Sequence, residues 1–262
     1  MKFALSNGNR QEAQPSLPGE CPCCGRPMVV KCGEVRVRHW AHKGRRICDP
    51  WWENETEWHR GWKDKFPDDW QEVVHRAETG ERHIADVKTG DGWVIEFQHS
   101  NIRPDERRSR EDFYECLIWV VDGTRRERDA VQFSRAWANG KSLDPFSSKR
   151  KVSSPEGALL RDWAGSGAHV LFDFGDGQAL WWLFPASDGQ RAYVQRLSLA
   201  QFVRIHRATS APGPCEFDSL VQNFSAFIAH YEPPPPTKQP RRPIEAAPCP
   251  HRRPYISRGF RF

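Results

Sequence analysis

The stretch Ile84 to Ser100, IADVKTGDGWVIEFQHS, constrains this chain more than any other. Two runs of strand-forming residues flank a Thr-Gly-Asp-Gly turn, the signature of a β-hairpin. Side chains alternate between faces along a strand, so Ile95 and Phe97 share one face while Glu96 and Gln98 share the other. Pairing around the turn brings Asp86 towards Glu96. Two carboxylates held together repel and cost stability unless a cation neutralises them. A cation that prefers oxygen ligands, Mg²⁺ or Mn²⁺, fits that need. The competing explanation is the polar face of an ordinary edge hairpin.

The segments around the hairpin set the fold class. In Glu55 to Phe66, ETEWHRGWKDKF, the aromatic residues Trp58, Trp62 and Phe66 recur every fourth position, which predicts a helix. Glu55, His59 and Lys63 would then share one helical face. A strand is expected over Gln71 to Glu78, a helix over RPDERRSREDFYECL, and a buried strand over IWVVDG, Ile118 to Gly123. Helix, strand, hairpin, helix and strand in that order indicate an α/β core.

Five of the eight cysteines fall between Cys21 and Cys48, interleaved with histidines. Without a secretion signal, such clustering points to metal rather than disulfides. Cys21 and Cys24 form a CxxC knuckle, and His39 and His42 an HxxH pair, separated by 14 residues from Cys24 to His39. That spacing suits a structural Zn²⁺ held by Cys21, Cys24, His39 and His42. Cys23, Cys32 and Cys48 are further thiols, any of which can replace a histidine.

The rest of the 262-residue chain divides by composition. Residues 1–19 read as a flexible N-terminus, 20–50 as the zinc module and 51–140 as the α/β domain. Lys141 to Gly157 reads as a linker. Residues 158–231 alternate apolar and polar positions before two helical stretches, a small α+β region, and 232–262 are a Pro/Arg-rich tail expected to be disordered. No stretch approaches the roughly 20 apolar residues of a membrane span, and the apolar run at Phe3 to Leu5 is too short for a signal peptide. The expectation is a cytoplasmic protein with no membrane partner. Net charge is only +5, but the runs RRSR (Arg107, Arg108, Arg110) and GTRRER (Arg125, Arg126) concentrate positive charge beside the hairpin. Such runs favour sequence-independent contact with phosphates.

Asp-(x)9-Glu-x-Gln following a Glu-bearing helix resembles the PD-(D/E)XK nuclease core. The order CPxC, HWAH, ETEWHRGWK, IADV, IEFQHS, RSREDFY and IWVVDG is similar to the CoiA-like competence protein family, over about Cys21 to Gly123. The resemblance implies a restriction-endonuclease-like mixed sheet flanked by helices, with an N-terminal zinc-ribbon-like module. It also implies Asp86 and Glu96 as metal-binding acids, Glu55 as the acid of the first helix, and His59 and Lys63 as its basic residues. Arg110 and Tyr114 would face the cleavage site from the next helix. Ala85 stands where the motif has Pro, which leaves the carboxylate untouched. Gln98 stands where a catalytic Lys is usual; an amide orients by hydrogen bonds and carries no charge.

These readings lead to a Mg²⁺- or Mn²⁺-dependent nuclease hydrolysing single- or double-stranded DNA without sequence preference. Its setting would be DNA uptake, recombination or foreign-DNA processing, alongside proteins of those processes. The alternative is a catalytically inactive, zinc-containing nucleic-acid-binding module in which Gln98 marks lost chemistry.

Overall fold

The computed structural model describes residues 1–33, 37–44, 48–51, 53–144, 148–153, 156–188, 190–208 and 215–231. Five short antiparallel strands open the chain: β1 (Phe3–Ser6), β2 (Asn9–Glu12), β3 (Gly19–Glu20), β4 (Pro27–Lys31) and β5 (His39–His42), in sheet order β2-β1-β3-β4-β5. The flexible N-terminus expected over residues 1–19 is therefore corrected. Phe3 and Ala4 are buried, and the backbone N–H groups of Lys2 and Phe3 donate to the Glu72 carboxylate at 2.6 and 2.9 Å. A polar segment orders here because a carboxylate some 70 positions away takes up its edge donors. Gly19 completes the packing: a Cβ there would come within 2.5 Å of the buried Trp40 ring.

The second sheet has nine strands. In chain order the elements are α1 (Glu57–Lys63), β6 (Gln71–Arg76), β7 (Arg82–Lys88), β8 (Val94–Gln98), α2 (Pro104–Phe113), β9 (Leu117–Asp122), α3 (Asp129–Asn139), β10 (Lys141–Ser142), β11 (Lys149–Ser153), α4 (Ala158–Trp163), β12 (His169–Asp173), β13 (Ala179–Leu183), β14 (Arg191–Ser198), α5 (Leu199–Arg207) and α6 (Glu216–Tyr231). The sheet runs β10-β11-β14-β13-β12-β9-β8-β7-β6, with β8, β9 and β12 mutually parallel and the other pairs antiparallel. Every residue of β8, β9 and β12 is buried. Strands covered on both faces read as unbroken apolar runs, which is why LIWVVD shows no alternation.

A mixed α/β architecture is thus present, and its extent differs from the expectation in two places. The segment expected to be a linker contributes β10 and β11 to the sheet edge, where β11 pairs with β14. The C-terminal strands do not form a sheet of their own: β12 pairs directly with β9, from His169↔Ile118 to Asp173↔Asp122. Met1–Val221 forms one compact unit. A second begins at Gln222, and its described part is the continuation of α6 to Tyr231. The expectation of a disordered tail falls on 232–262, outside the described residues. No helix among the described residues is long and apolar enough to cross a membrane.

Candidate functional site

The Cys/His module brings Cys21, Cys24, His42 and Cys48 together, with one ligand atom of each within 4.8 Å of all the others. Two thiolates about 2.3 Å from one tetrahedral zinc lie about 3.8 Å apart, and a thiolate and an imidazole about 3.5 Å apart. Cys21 Sγ and Cys48 Sγ are separated by 3.8 Å, and His42 Nε2 lies 3.4 Å from Cys24 Sγ and 3.5 Å from Cys48 Sγ. The donor set and its spacing are consistent with a structural zinc. Burial pushes the Cys21 thiol up to about 12 and the Cys48 thiol up to about 11, so a cation would be needed to hold these two as thiolates.

His39 is not in the cluster, which corrects the expected ligand set. HWAH is strand β5, paired with β4 from Met28↔His42 to Lys31↔His39. Residues three apart on a strand point to opposite faces, so only one of the two histidines can face the knuckle. His39 instead places Nδ1 2.8 Å from the Val37 carbonyl. Cys48 takes the fourth place in the cluster. Cys23 approaches the Cys48 carbonyl, and Cys32 lies outside the group.

The acidic hairpin forms as expected, and it forks. The β7–β8 ladder consists of Lys88↔Val94 and Val87↔Ile95 and stops there. Beyond that point the Asp86 side chain replaces the missing ladder bond: its Oδ2 accepts from Phe97 N at 3.0 Å. Asp86 and Glu96 therefore sit where two strands part, lining a narrow cleft of about 60 Å³. Its walls come from α1 (His59, Lys63), β6 (Glu72), α2 and its C-cap (Arg110, Tyr114) and the segment that follows Cys48 (Asp49, Trp51, Glu53, Glu55).

The charges in this cleft are arranged around Lys63. Its Nζ lies 3.0 Å from Glu72 Oε1, 3.2 Å from Asp86 Oδ1 and 3.3 Å from Glu55 Oε2. Burial works against the ammonium, but the three carboxylates outweigh it and hold the Lys63 pKa well above its ordinary value. Burial also opposes ionisation of Glu55, yet Lys63 and Arg60 bring it down to about 2. Glu96 behaves oppositely. Burial, and next the Asp86 charge, raise it to about 8, with Arg110 at 3.3 Å offsetting only part. Glu96 Oε1 and the Tyr114 hydroxyl are both buried without a hydrogen-bond partner. Two orphaned polar atoms in one cleft are places where a ligand would be held.

Seven residues join the cysteine cluster to this cleft. Asp49, next to Cys48, places Oδ1 3.1 Å from His83 Nδ1 and accepts from Ile84 N with Oδ2 at 3.1 Å. Trp51 stacks on His83 with ring centroids 3.2 Å apart. Glu53 accepts from His99 N at 3.2 Å, from Ser100 N, and lies 3.0 Å from His59 Nε2. Residues 15–50 match the N-terminal domain of the competence protein CoiA. The matched stretch contains all four cluster residues and ends one residue past Asp49. No curated protein and no solved structure matches the chain.

The structure brings together most of the predicted acidic site. Asp86, Glu96, Glu55, His59 and Lys63 all line the cleft. Glu55 does so from outside the helix: Thr56 is the N-cap of α1, accepting from His59 N, so Glu55 precedes it. Gln98 is buried outside the lining, its amide donating to Ser100 O at 3.1 Å and Glu53 Oε2 at 3.4 Å. Among the described residues, the cleft carboxylates form no group of three ligand atoms within 4.8 Å; the Cys3His cluster alone does. Arg110 and Tyr114 are buried against Glu96 and Trp51 rather than presented to solvent. Arg107 is buried beside Glu111, Arg126 pairs with Asp129 and Asp162, Arg108 is exposed, and Arg125 is half-buried.

Sequence reasoning missed Asp49, Glu53 and Glu72. Glu72 had a readable signal only in hindsight: it is a buried carboxylate at the start of a strand, with a left-handed φ of 47°. That backbone is unfavourable for a non-glycine residue. It turns the carboxylate onto Lys63 and the β1 donors.

Proposed function

We propose that the acidic cleft is the catalytic centre of a metal-dependent nuclease acting on DNA. The observation that carries this reading is the fork at Asp86 and Glu96, with Glu96 Oε1 buried and unpartnered beside a second carboxylate. Such a carboxylate favours a divalent cation, and its elevated pKa is what a cation would relieve. Asp86 and Glu96 would hold Mg²⁺ or Mn²⁺, which supplies an acidified water and charge stabilisation for phosphodiester hydrolysis.

The chain's own residues then divide the remaining work. Lys63, fixed by three carboxylates, provides at Asp86 the positive charge that Gln98 lacks. Gln98 holds Glu53, and Glu53 in turn fixes His59 on the cleft wall. Trp58 and Trp62 anchor α1 through indole N–H bonds to Asp173 Oδ2 at 3.1 and 2.9 Å, so His59 and Lys63 are held from outside the cleft. The CoiA match over 15–50 supports a setting in DNA uptake or recombination.

Purified protein incubated with single- and double-stranded DNA in Mg²⁺, Mn²⁺ or EDTA tests the reading. Metal-dependent cleavage lost in Asp86→Ala and Glu96→Ala is expected. DNA binding without cleavage in any metal would instead favour an inactive binding module. One observation speaks for that second reading: Lys63 and Arg110 already pair with the two acids.

A further inference from the structure

A second cavity, of about 190 Å³, lies where the parallel strands β8 and β9 end. Ligand sites in α/β sheets collect at such carboxyl ends. Its polar lining comes from His99, Ser100, Asn101, Arg107, Arg125 and Asp162, and Trp163 and Val121 close its apolar side. This cavity and the acidic cleft share a wall. Glu53 lies 3.0 Å from His59 Nε2 on the cleft side and accepts from His99 N at 3.2 Å on the other. The two imidazole centroids are 5.9 Å apart.

His99 is held in one orientation. Its Nδ1 lies 2.7 Å from Asp122 Oδ2, and Asp122 Oδ1 accepts from Thr124 N at 2.8 Å and Thr124 Oγ1 at 2.6 Å. A carboxylate only accepts, so Nδ1 is the donor; Nε2 is an acceptor in the neutral ring and donates to an anion when the ring carries both protons. Arg125, half-buried at the cavity, makes no hydrogen bond or ion pair among the described residues. The remaining lining charges are neutralised within the protein. Asp162 pairs with Arg126 at 2.9 Å, and Arg107 pairs with Glu111 at 3.3 Å while lying over the Trp163 ring. What is left over is one guanidinium, one oriented imidazole, a serine hydroxyl and the Asn101 amide. That set recognises a tetrahedral oxyanion.

We infer that this cavity is a phosphate subsite, taking a backbone phosphodiester of the nucleic-acid strand next to the one at the acidic cleft, with Arg125 and His99 as its contacts. The inference rests on the reading of the cleft as a nucleic-acid site, and it assigns the His-Ser pair that follows Gln98 a role in grip rather than chemistry.

The experiment is anisotropy titration of a fluorescent single-stranded oligonucleotide in EDTA, across a salt series, so that cleavage plays no part. Arg125→Ala is expected to weaken binding about tenfold at low salt, the scale of one lost charged hydrogen bond. It should also flatten the plot of log K against log salt by about 0.7, the increment for one single-strand phosphate contact. His99→Ala should weaken binding in the same direction, with unchanged melting temperatures showing that both variants remain folded. Arg108→Ala, on the exposed face of α2, controls for diffuse charge. Equal losses in Arg108→Ala and Arg125→Ala, or wild-type binding by Arg125→Ala, would overturn the subsite. Cleavage by wild type combined with undiminished binding by Arg125→Ala removes the subsite alone. Arg125-dependent binding without cleavage in any metal keeps the subsite and removes the nuclease.

Discussion

The Lys63 ammonium lies 3.2 Å from Asp86 Oδ1, and the same nitrogen is shared with Glu55 and Glu72. One buried cation therefore holds three carboxylates from three separate segments of the chain. Removing it leaves uncompensated negative charge in a closed space, a loss on the scale of about 3–5 kcal/mol for a broken buried pair. Lys63→Met should lower the stability measured by urea unfolding by that amount. A loss below about 1 kcal/mol would mean that the carboxylates relax into solvent and that the network is not holding the cleft.

Cys48 and His39 make opposite predictions for metal content. Cys48→Ser should lose most bound zinc, whereas His39→Ala should retain one equivalent, because only the former faces the knuckle. Metal analysis of the two purified variants decides between them. Equal retention, or loss in both, would contradict the Cys3His assignment.

Zinc removal should reach the acidic cleft. Cys48 immediately precedes the segment carrying Asp49, Trp51, Glu53 and Glu55 into it. A chelator strong enough to strip zinc should raise hydrogen exchange at Ile84, whose N–H is bonded to Asp49, and at His99 and Ser100, bonded to Glu53. Unchanged exchange at these amides would show that the segment is held by the cleft alone.

Acid stability should be limited by two buried histidines. Burial lowers both His169 and His206 to about 4, and both rings pack against Phe217. His169 Nδ1 also accepts from Trp182 Nε1, which only the neutral ring can do. Because the folded values lie below the unfolded one, the folded state binds fewer protons. The stability this confers is fully present above about pH 6.5 and is lost as pH falls through about 4. Each group contributes up to about 3 kcal/mol over that window. His206→Phe should flatten the stability–pH curve between those limits relative to wild type; a curve of unchanged slope would count against it.

Much of the core was readable because its elements carry their own periodicity. The hairpin, α1, α2 and β9 follow from turn composition, four-residue aromatic spacing and an unbroken apolar run. Asp86 and Glu96 stand out because they interrupt a strand pattern, whereas His59 and Lys63 are reached through their shared helical face and the resemblance to CoiA-like proteins. What stayed hidden depends on contacts between distant segments. Phe3 orders only because Glu72 accepts its N–H, and Cys48 outranks His39 only once HWAH is known to be a strand. Asp49 and Glu53 lie in a loop whose sequence shows no period. Their importance comes from His83, His59 and His99, which the fold brings to them.

The parallel pairing of β9 with β12 has a practical consequence for anyone dividing this protein. A fragment ending near residue 140, the boundary expected from composition for the α/β domain, would strip the β12 partner from Leu117–Asp122. It would leave six wholly apolar-flanked positions as an open template for strands of other molecules, the condition under which edges seed aggregation. The smallest soluble piece carrying the acidic cleft should therefore extend at least through β14 at Ser198.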